Sequence, residues 1–440
     1  MINEIVNQEL CTGCGVCISE DKSKKSLMFK NKYGFLVPDV KNVSKENQEE
    51  MLKVCPFNPL INNGLNEDSL AKEFLVDSNN YSDKLGRYIS TYVGFSNKFR
   101  ETSSSGGVAT YIFNELLNKN YVQSIFVVNE KYGKYEYGFI SPDDDINVIS
   151  KTRYIPVTLE DLFLKIDEID GKIAVCGVGC FLKAVRLKQH YYPKYKEKIV
   201  FTIGIICGGL KSDFFSDYLS QKAGIVGTYC RQNYRIKDKE SSARDYSYGA
   251  FDKEDGEFKS VKMRLVGDMW GTGMFKSKAC DFCDDVTTEL ADISLGDAWI
   301  EPYSSQGLGN NVIITRSVFA NELIKRGVDI KELSVESLDY SQFISSQQGS
   351  FTHRQDALLY RIKQLESNKM IVPYKRRRVF KNISISSKLV QRYRSIIRRE
   401  SLLKWEKYRS LEKFESALST DKYMLRFVTK INHILRKKKR

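Results

Sequence analysis

Three cysteines set the first constraint on this chain. Cys11, Cys14 and Cys17 stand in the run CTGCGVC, one thiol at every third residue, with glycines at 13 and 15. A tight loop of that spacing wraps thiolates around one face of a cubane cluster, and a fourth ligand must arrive from elsewhere. Cys55, followed by Pro56, supplies a Cys-Pro signature, and no second triplet lies nearby to claim it. The four read as ligands of one [4Fe–4S] cluster in a small N-terminal domain over residues 1–60. Structural zinc is the alternative, although it generally uses paired Cys-x2-Cys hooks.

The rest of the composition favours metal ligation over disulfides. The chain has 440 residues, ten of them cysteine and only three histidine (His190, His353 and His433). MINEIVNQEL lacks the basic start and apolar core of a signal peptide, and apolar runs such as IGIIC at 203–207 are too short to span a membrane. A cytoplasmic location is therefore expected, where thiols stay reduced.

The charge is unevenly spread. Residues 371–440 hold 22 Lys and Arg against 5 Asp and Glu, whereas the whole chain holds 69 against 55, so the first 370 residues are close to neutral. A near-neutral body argues against nucleic acid as a partner. The basic tail begins with KRRR at 375–378, and Ile396, Ile397, Leu402, Leu403, Trp405, Tyr408, Leu411 and Phe414 recur through it at near-helical spacing. Such a helix suits peripheral contact with an anionic membrane, or a helical cap packed on the body or on a partner.

Between these ends, residues 61–90 are polar and Asn-rich and read as a linker with one helical turn. From residue 91 strands alternate with helices. QSIFVVN (123–129), GKIAVCG (171–177), KIVFTIGIIC (198–207), ADISLGD (291–297) and NNVIITR (310–316) read as strands. VATYIFNELLNK (108–119), LEDLFLKIDEI (159–169), CFLKAVRLKQ (180–189) and SDFFSDYLSQKA (212–223) read as helices, and 230–270 as hairpins. The expected fold is α+β: a small single-cluster ferredoxin-like domain, the linker, an α/β domain over 91–370 and a basic helical extension over 371–440.

Five segments of the body carry a resemblance: FRETSSSGGVATYIF (99–113), KTRYIPV (151–157), AVCGVGCFLKAVRL (174–187), IGIICGGLKS (203–212) and KACDFCDDVTTELADISLGDAW (278–299). Together, over roughly residues 1–350, they resemble the coenzyme F420 hydrogenase/dehydrogenase beta-subunit family, including bacterial members with a fused ferredoxin domain. The resemblance implies an FAD-dependent iron–sulfur oxidoreductase that exchanges electrons between a hydride-type donor or acceptor and its clusters. Some members use the deazaflavin coenzyme, and others are associated with bacterial polysaccharide loci.

The resemblance also implies a second [4Fe–4S] cluster, held by Cys180, Cys207, Cys280 and Cys283. Each of these thiols alone also fits a small buried core residue, and the C-x2-C pair alone also fits zinc or a redox dithiol. Cys176 reads as strand packing, and Cys230 is left without a role. Ser103, Ser104, Ser105, Gly106 and Gly107 lead into a helix whose free N–H groups suit the pyrophosphate of FAD. The same residues also fit a serine-capped helix with a flexible lead-in. Asp297 is a candidate for a ribityl or sugar hydroxyl and Trp299 for stacking on a flat ring, with a turn Asp and a core Trp as the alternative. Arg100, Lys151 and Arg153 are candidates for anionic cofactor groups, with solvated surface charges as the alternative. Where many members have Pro-Cys-Gln this chain has Gly179-Cys180-Phe181, which puts in doubt any contact made by that Gln. No residue stands out as catalytic. The other class of function open to the sequence is an electron-transfer or redox-sensing subunit, docked on a redox partner protein and without substrate chemistry of its own.

Overall fold

A computed structural model describes residues 1–60, 65–131 and 133–437 of the chain. The first 60 residues form helices Ile2–Asn7 and Lys45–Lys53, a 3-10 turn Val16–Glu20 and a hairpin of Leu27–Lys30 with Leu36–Asp39. Ser44 starts the second helix by accepting the Asn47 N–H, the expected role of a serine at an N-cap. The apolar residues Ile2, Ile5, Leu10, Val16, Met51 and Leu52 share one core with Leu159, Leu162, Phe181 and Leu182 of the body. The cysteine loop is also tied down by its backbone, since the Leu159 N–H donates to the Cys14 carbonyl at 2.8 Å.

The polar stretch after residue 60 is more ordered than a linker. Residues 61–64 lie outside the described residues, but Glu67–Phe74 is a helix and Asn80–Ser82 pairs with Gly86–Tyr88. Asn66 caps that helix by accepting the Asp68 and Ser69 N–H groups. The composition misleads here because its acidic residues are paired rather than solvated: buried Glu67 meets Lys183 at 3.3 Å.

An eight-stranded mixed sheet organises the body. Its strands are β1 (Ser90–Ser96), β2 (Ser124–Lys131), β3 (Lys134–Ile140), β4 (Ile173–Val178), β5 (Ile199–Ile205), β6 (Ile293–Asp297), β7 (Asn311–Thr315) and β8 (Leu333–Ser337). They lie in the order β8-β1-β7-β6-β5-β4-β2-β3. The four strands β6-β5-β4-β2 run parallel, and the remaining pairs are antiparallel. Helices α1 (Val108–Asn118) and α2 (Gly179–Tyr191) cover opposite faces. Phe126 joins the core of Phe181, Leu182 and Val185 on α2, while its neighbours Ile125 and Val127 join that of Val108, Tyr111 and Ile112 on α1. That alternation is the period of two of a strand buried on both sides. Cys176 on β4 is part of the α1-side core. The expected strands and the helices α1, α2 and α3 (Asp213–Lys222) all form, whereas 159–169 holds only the short helix Leu162–Lys165 and one 3-10 turn. Residues 229–262 make a separate three-stranded antiparallel sheet.

The tail is helical and folded onto the body. Helices α4 (Ile385–Tyr408) and α5 (Leu411–Lys437) form a hairpin against α3 and the three-stranded sheet. Trp405 is fully buried, with Phe414, Tyr218 and Phe275 at centroid distances of 5.1, 5.7 and 5.9 Å. Of the two readings of the tail, this is the helical cap packed on the body: Ile397, Leu402, Trp405 and Phe414 are core. The KRRR run is not a solvated patch. Arg376 is buried between Asp284 at 2.9 Å and Glu289 at 2.5 Å, and Arg378 reaches Asp68 and Glu289, both at 2.8 Å. Among the described residues no helix is long and apolar enough to cross a membrane.

Candidate iron–sulfur and flavin site

The first cysteine set sits where the N-terminal loop meets the body. Cys14, Cys17 and Cys55 are buried, and Cys11 is half-buried. The four are close enough for their charges to interact. Burial pushes the Cys17 thiol well above the usual range, and Cys14, Cys11 and Cys55 push it further. Cys55 is pushed up to about 12 by burial and by Cys14, while the Phe57 N–H, Lys183 and Lys375 pull it back. Backbone N–H groups point at sulfur: Gly13 donates to Cys11 Sγ at 3.3 Å, and Gly15 and Val16 donate toward Cys14. Four sulfurs that raise one another, surrounded by N–H donors and lysines, suit thiolates whose charge iron neutralises.

The second set comes from three separate places. Cys180 is in the first turn of α2, just after β4. Cys207 follows β5, and Cys280 and Cys283 belong to the turn Lys278–Phe282 and its end. Because β4 and β5 are parallel neighbours, both strands deliver their cysteines at the same sheet edge. Burial raises Cys180 well above the usual thiol range, with further contributions from Cys283, Cys280, Cys207 and Cys14. The influence of Cys14 places the two sets side by side. Donors again face sulfur: Gly209 N–H to Cys207 and Leu210 N–H to Cys280, each at 3.2 Å, and Arg354 Nη2 to Cys283 at 2.6 Å. Among the described residues no three His, Cys, Asp or Glu side chains gather as one ion's donors. Cys230 belongs to neither set; it lies on the strand Tyr229–Ile236 opposite Phe251.

The serine-glycine loop does lead into a helix, and Gly107 is the N-cap of α1. Its glycines are required by the fold itself. Gly107 has φ +78°, and a Cβ there would meet the backbone of Phe99 at 2.6 Å; one at Gly106 would meet the Asn311 nitrogen at 2.8 Å. The serines are engaged as well. Ser103 Oγ bonds Thr110, Ser104 Oγ accepts the Thr152 N–H at 2.9 Å, and Ser105 Oγ reaches the Asn310 carbonyl at 3.4 Å. The bond to Thr152 brings the Lys151–Arg153 segment onto the loop.

A cluster of cations surrounds that loop. Lys237, on the chain beyond the strand Tyr229–Ile236, donates to the carbonyls of Arg100 and Ser105. Burial lowers its ammonium to about 7, helped by Lys151, Arg235 and Arg100. Arg100 stacks over Phe95 at 3.7 Å and bonds the Gly309 carbonyl and Gln306, with no carboxylate partner among the described residues. Arg153 lies over the Tyr135 ring at 4.4 Å. Arg235 pairs with Asp297 and sits 5.4 Å from the Trp299 ring, yet its Nε has no hydrogen-bond partner among the described residues. Asp297 is thus held by a cation, and half-buried Trp299 is flanked by Arg235 and Arg244. Several desolvated cations beside a helix N-terminus, with Asp297 paired to one of them and Glu101 and Glu130 within electrostatic reach of others, fit a ligand carrying phosphates.

Comparison with known proteins shows the family. Residues 91–163 match the N-terminal part of the coenzyme F420 hydrogenase/dehydrogenase beta subunit, and residues 170–341 match the C-terminal part of the same beta subunit. The chain belongs to that family. It is 23% identical to the coenzyme F420-dependent sulfite reductase of Methanocaldococcus jannaschii over 344 residues, 75% of this chain and 48% of that protein. It is 27% identical to coenzyme F420 hydrogenase subunit beta of Methanococcus voltae over 191 residues, 39% of this chain and 61% of that protein. The chain thus spans about half to three-fifths of the length of these curated relatives. Among solved structures it resembles a chain of the F420-reducing [NiFe] hydrogenase complex from Methanosarcina barkeri, at 20% identity and a TM-score of 0.45, covering 63% of this chain and 95% of that one.

Sequence reasoning passed over Arg235, Lys237 and Arg354. None stands in a motif. The only signal was the number of basic residues in the hairpin region, where a polar exterior reads the same way.

Proposed function

We propose that this chain is an FAD-dependent iron–sulfur oxidoreductase with two [4Fe–4S] clusters, one in the ferredoxin-type domain at Cys11, Cys14, Cys17 and Cys55 and one at Cys180, Cys207, Cys280 and Cys283. The observation that carries the reading is the convergence of four cysteines from three segments on one sheet edge, with donors facing their sulfurs and Cys14 within electrostatic reach. When bound, flavin exchanges hydride equivalents and single electrons, and each cluster carries one electron.

The chain's own residues hold and shield these groups. Lys237, Arg100, Lys151 and the N-terminus of α1 face the FAD pyrophosphate, with Ser103, Ser104, Ser105, Gly106 and Gly107 shaping the loop beneath it. Arg235 pairs with Asp297 and holds it in place for a sugar or ribityl hydroxyl, and Trp299 offers a flat face. The external partner is a small-molecule hydride carrier or a redox protein; one relative is named as a hydrogenase subunit. Two substitutions test the ligand assignment. Cys14→Ser should remove about four irons and leave the flavin bound, and Cys283→Ser should remove about four others. If either variant keeps the full iron of the parent, that set does not hold a cluster. Reduced F420 mixed anaerobically with the parent should bleach the flavin band if this coenzyme is the hydride carrier.

A further inference from the structure

Arg354 is a buried cation, 7% exposed, that forms no ion pair with Asp or Glu among the described residues. Its neighbours in the core behave otherwise: Arg376 pairs with Asp284 and Glu289, and Arg186 pairs with Asp292 at 3.0 Å. The guanidinium of Arg354 instead spans the second cysteine set. Nη2 donates to Cys283 Sγ at 2.6 Å and to the Asp285 carbonyl, and Nη1 donates to the Cys207 carbonyl. The carboxylate of nearby Asp285 is taken up by the Glu289 N–H, at 3.1 Å to each oxygen.

The backbone is bent to present this side chain. Arg354 lies in a single π-turn, Thr352–Asp356, set between helices Gln348–Phe351 and Leu358–Ser367. Such insertions are uncommon and recur at functional sites. A buried arginine without a carboxylate is costly unless another negative charge compensates it. Here the group with negative character that the guanidinium bonds directly is the Cys283 sulfur, while the Asp285 carboxylate acts on it only at a distance.

The geometry points to Arg354 as a positioning residue of the second cluster, one that clamps Cys283 against Cys207 and raises the reduction potential of that centre with its fixed charge. One-electron reduction adds one negative charge to a cluster and breaks no bond. A guanidinium bonded to a ligating sulfur stabilises the reduced form more than the oxidised one. Arginine suits the task because it stays protonated and its fork can bond sulfur and two carbonyls at once. The inference rests on the reading that Cys180, Cys207, Cys280 and Cys283 hold a cluster.

The test compares the parent protein with R354Q and R354K, each purified anaerobically, by iron and sulfide content and by EPR-monitored potentiometry. The N-terminal cluster serves as the internal reference. R354Q should keep both clusters, with the equilibrium constant for reducing the second at least tenfold lower, a shift of 59 mV for a one-electron couple; the N-terminal potential should not move. R354K should lie between parent and R354Q. An unchanged second potential in an R354Q protein that retains its iron overturns the proposal. If R354Q empties the site, loading of R354K supports it, and loss from both variants overturns it in favour of a purely structural clasp. A parent protein with a single cluster refutes the functional reading, and is told apart by its own iron content.

Discussion

Replacing Trp405 tests whether the basic tail is part of the fold. Trp405 is fully buried and meets Phe414, Tyr218 and Phe275, two of which belong to the body. Truncation of a buried Trp to Ala typically costs about 3–5 kcal/mol through lost transfer energy and the cavity left behind. One term opposes this: the indole N–H is buried without a partner among the described residues, and its removal returns about 1 kcal/mol. A net loss of about 3 kcal/mol remains. With a urea dependence of about 3 kcal/mol per molar, W405A should unfold at roughly 1 M lower urea than the parent, by circular dichroism. W405F keeps most of the ring contact and removes the orphan donor, so its midpoint should stay close to the parent. A W405A midpoint equal to the parent's would refute the packing argument and return the tail to a loosely attached arm.

Arg376→Met should destabilise the fold by roughly 3 kcal/mol, because it takes the closest cation from buried Asp284 and Glu289 and leaves them only Lys375 and Arg378; a solvated basic patch would tolerate the change, and thermal unfolding separates the two. FAD affinity of the flavin-free protein should fall as pH rises above about 7, by up to tenfold per unit. The ammonium of Lys237, lowered to about 7 in the free protein, must then be reprotonated to face the pyrophosphate. Flavin-fluorescence titrations from pH 6 to 9 measure this, and K237M should bind more weakly with a flatter profile. The same lowering gives the flavin-free fold a stability that rises with pH above about 7, since the unfolded chain binds the extra proton there; urea midpoints across that range check the sign.

How much of this was legible depends on distance along the chain. The first cysteine set is local in three of its four members, so spacing alone exposed it. The second set could be anticipated only as strand ends on one sheet edge, and the structure brings Cys180 and Cys207 there through the parallel pairing of β4 and β5. The cation cluster was half visible: Arg100 and Lys151 flank recognisable motifs, but Arg235 and Lys237 arrive from a hairpin with no signature. Gly106 and Gly107 were read for the right feature, a helix start, although their lack of side chains answers to Asn311 and Phe99. The tail was ambiguous because helical periodicity marks an apolar face without saying whether something covers it. The charges of KRRR could not be read as buried, since their partners Asp68, Asp284 and Glu289 lie far back in the sequence.

The most direct test of the account is the cofactor content of protein purified or reconstituted without oxygen: iron, labile sulfide, zinc and flavin per chain, with the visible spectrum of the same preparation. Two cubane sites and one flavin site require about eight irons, about eight sulfides and one FAD, with broad cluster absorbance beneath the flavin bands. Stoichiometric zinc with no visible absorbance would contradict the account.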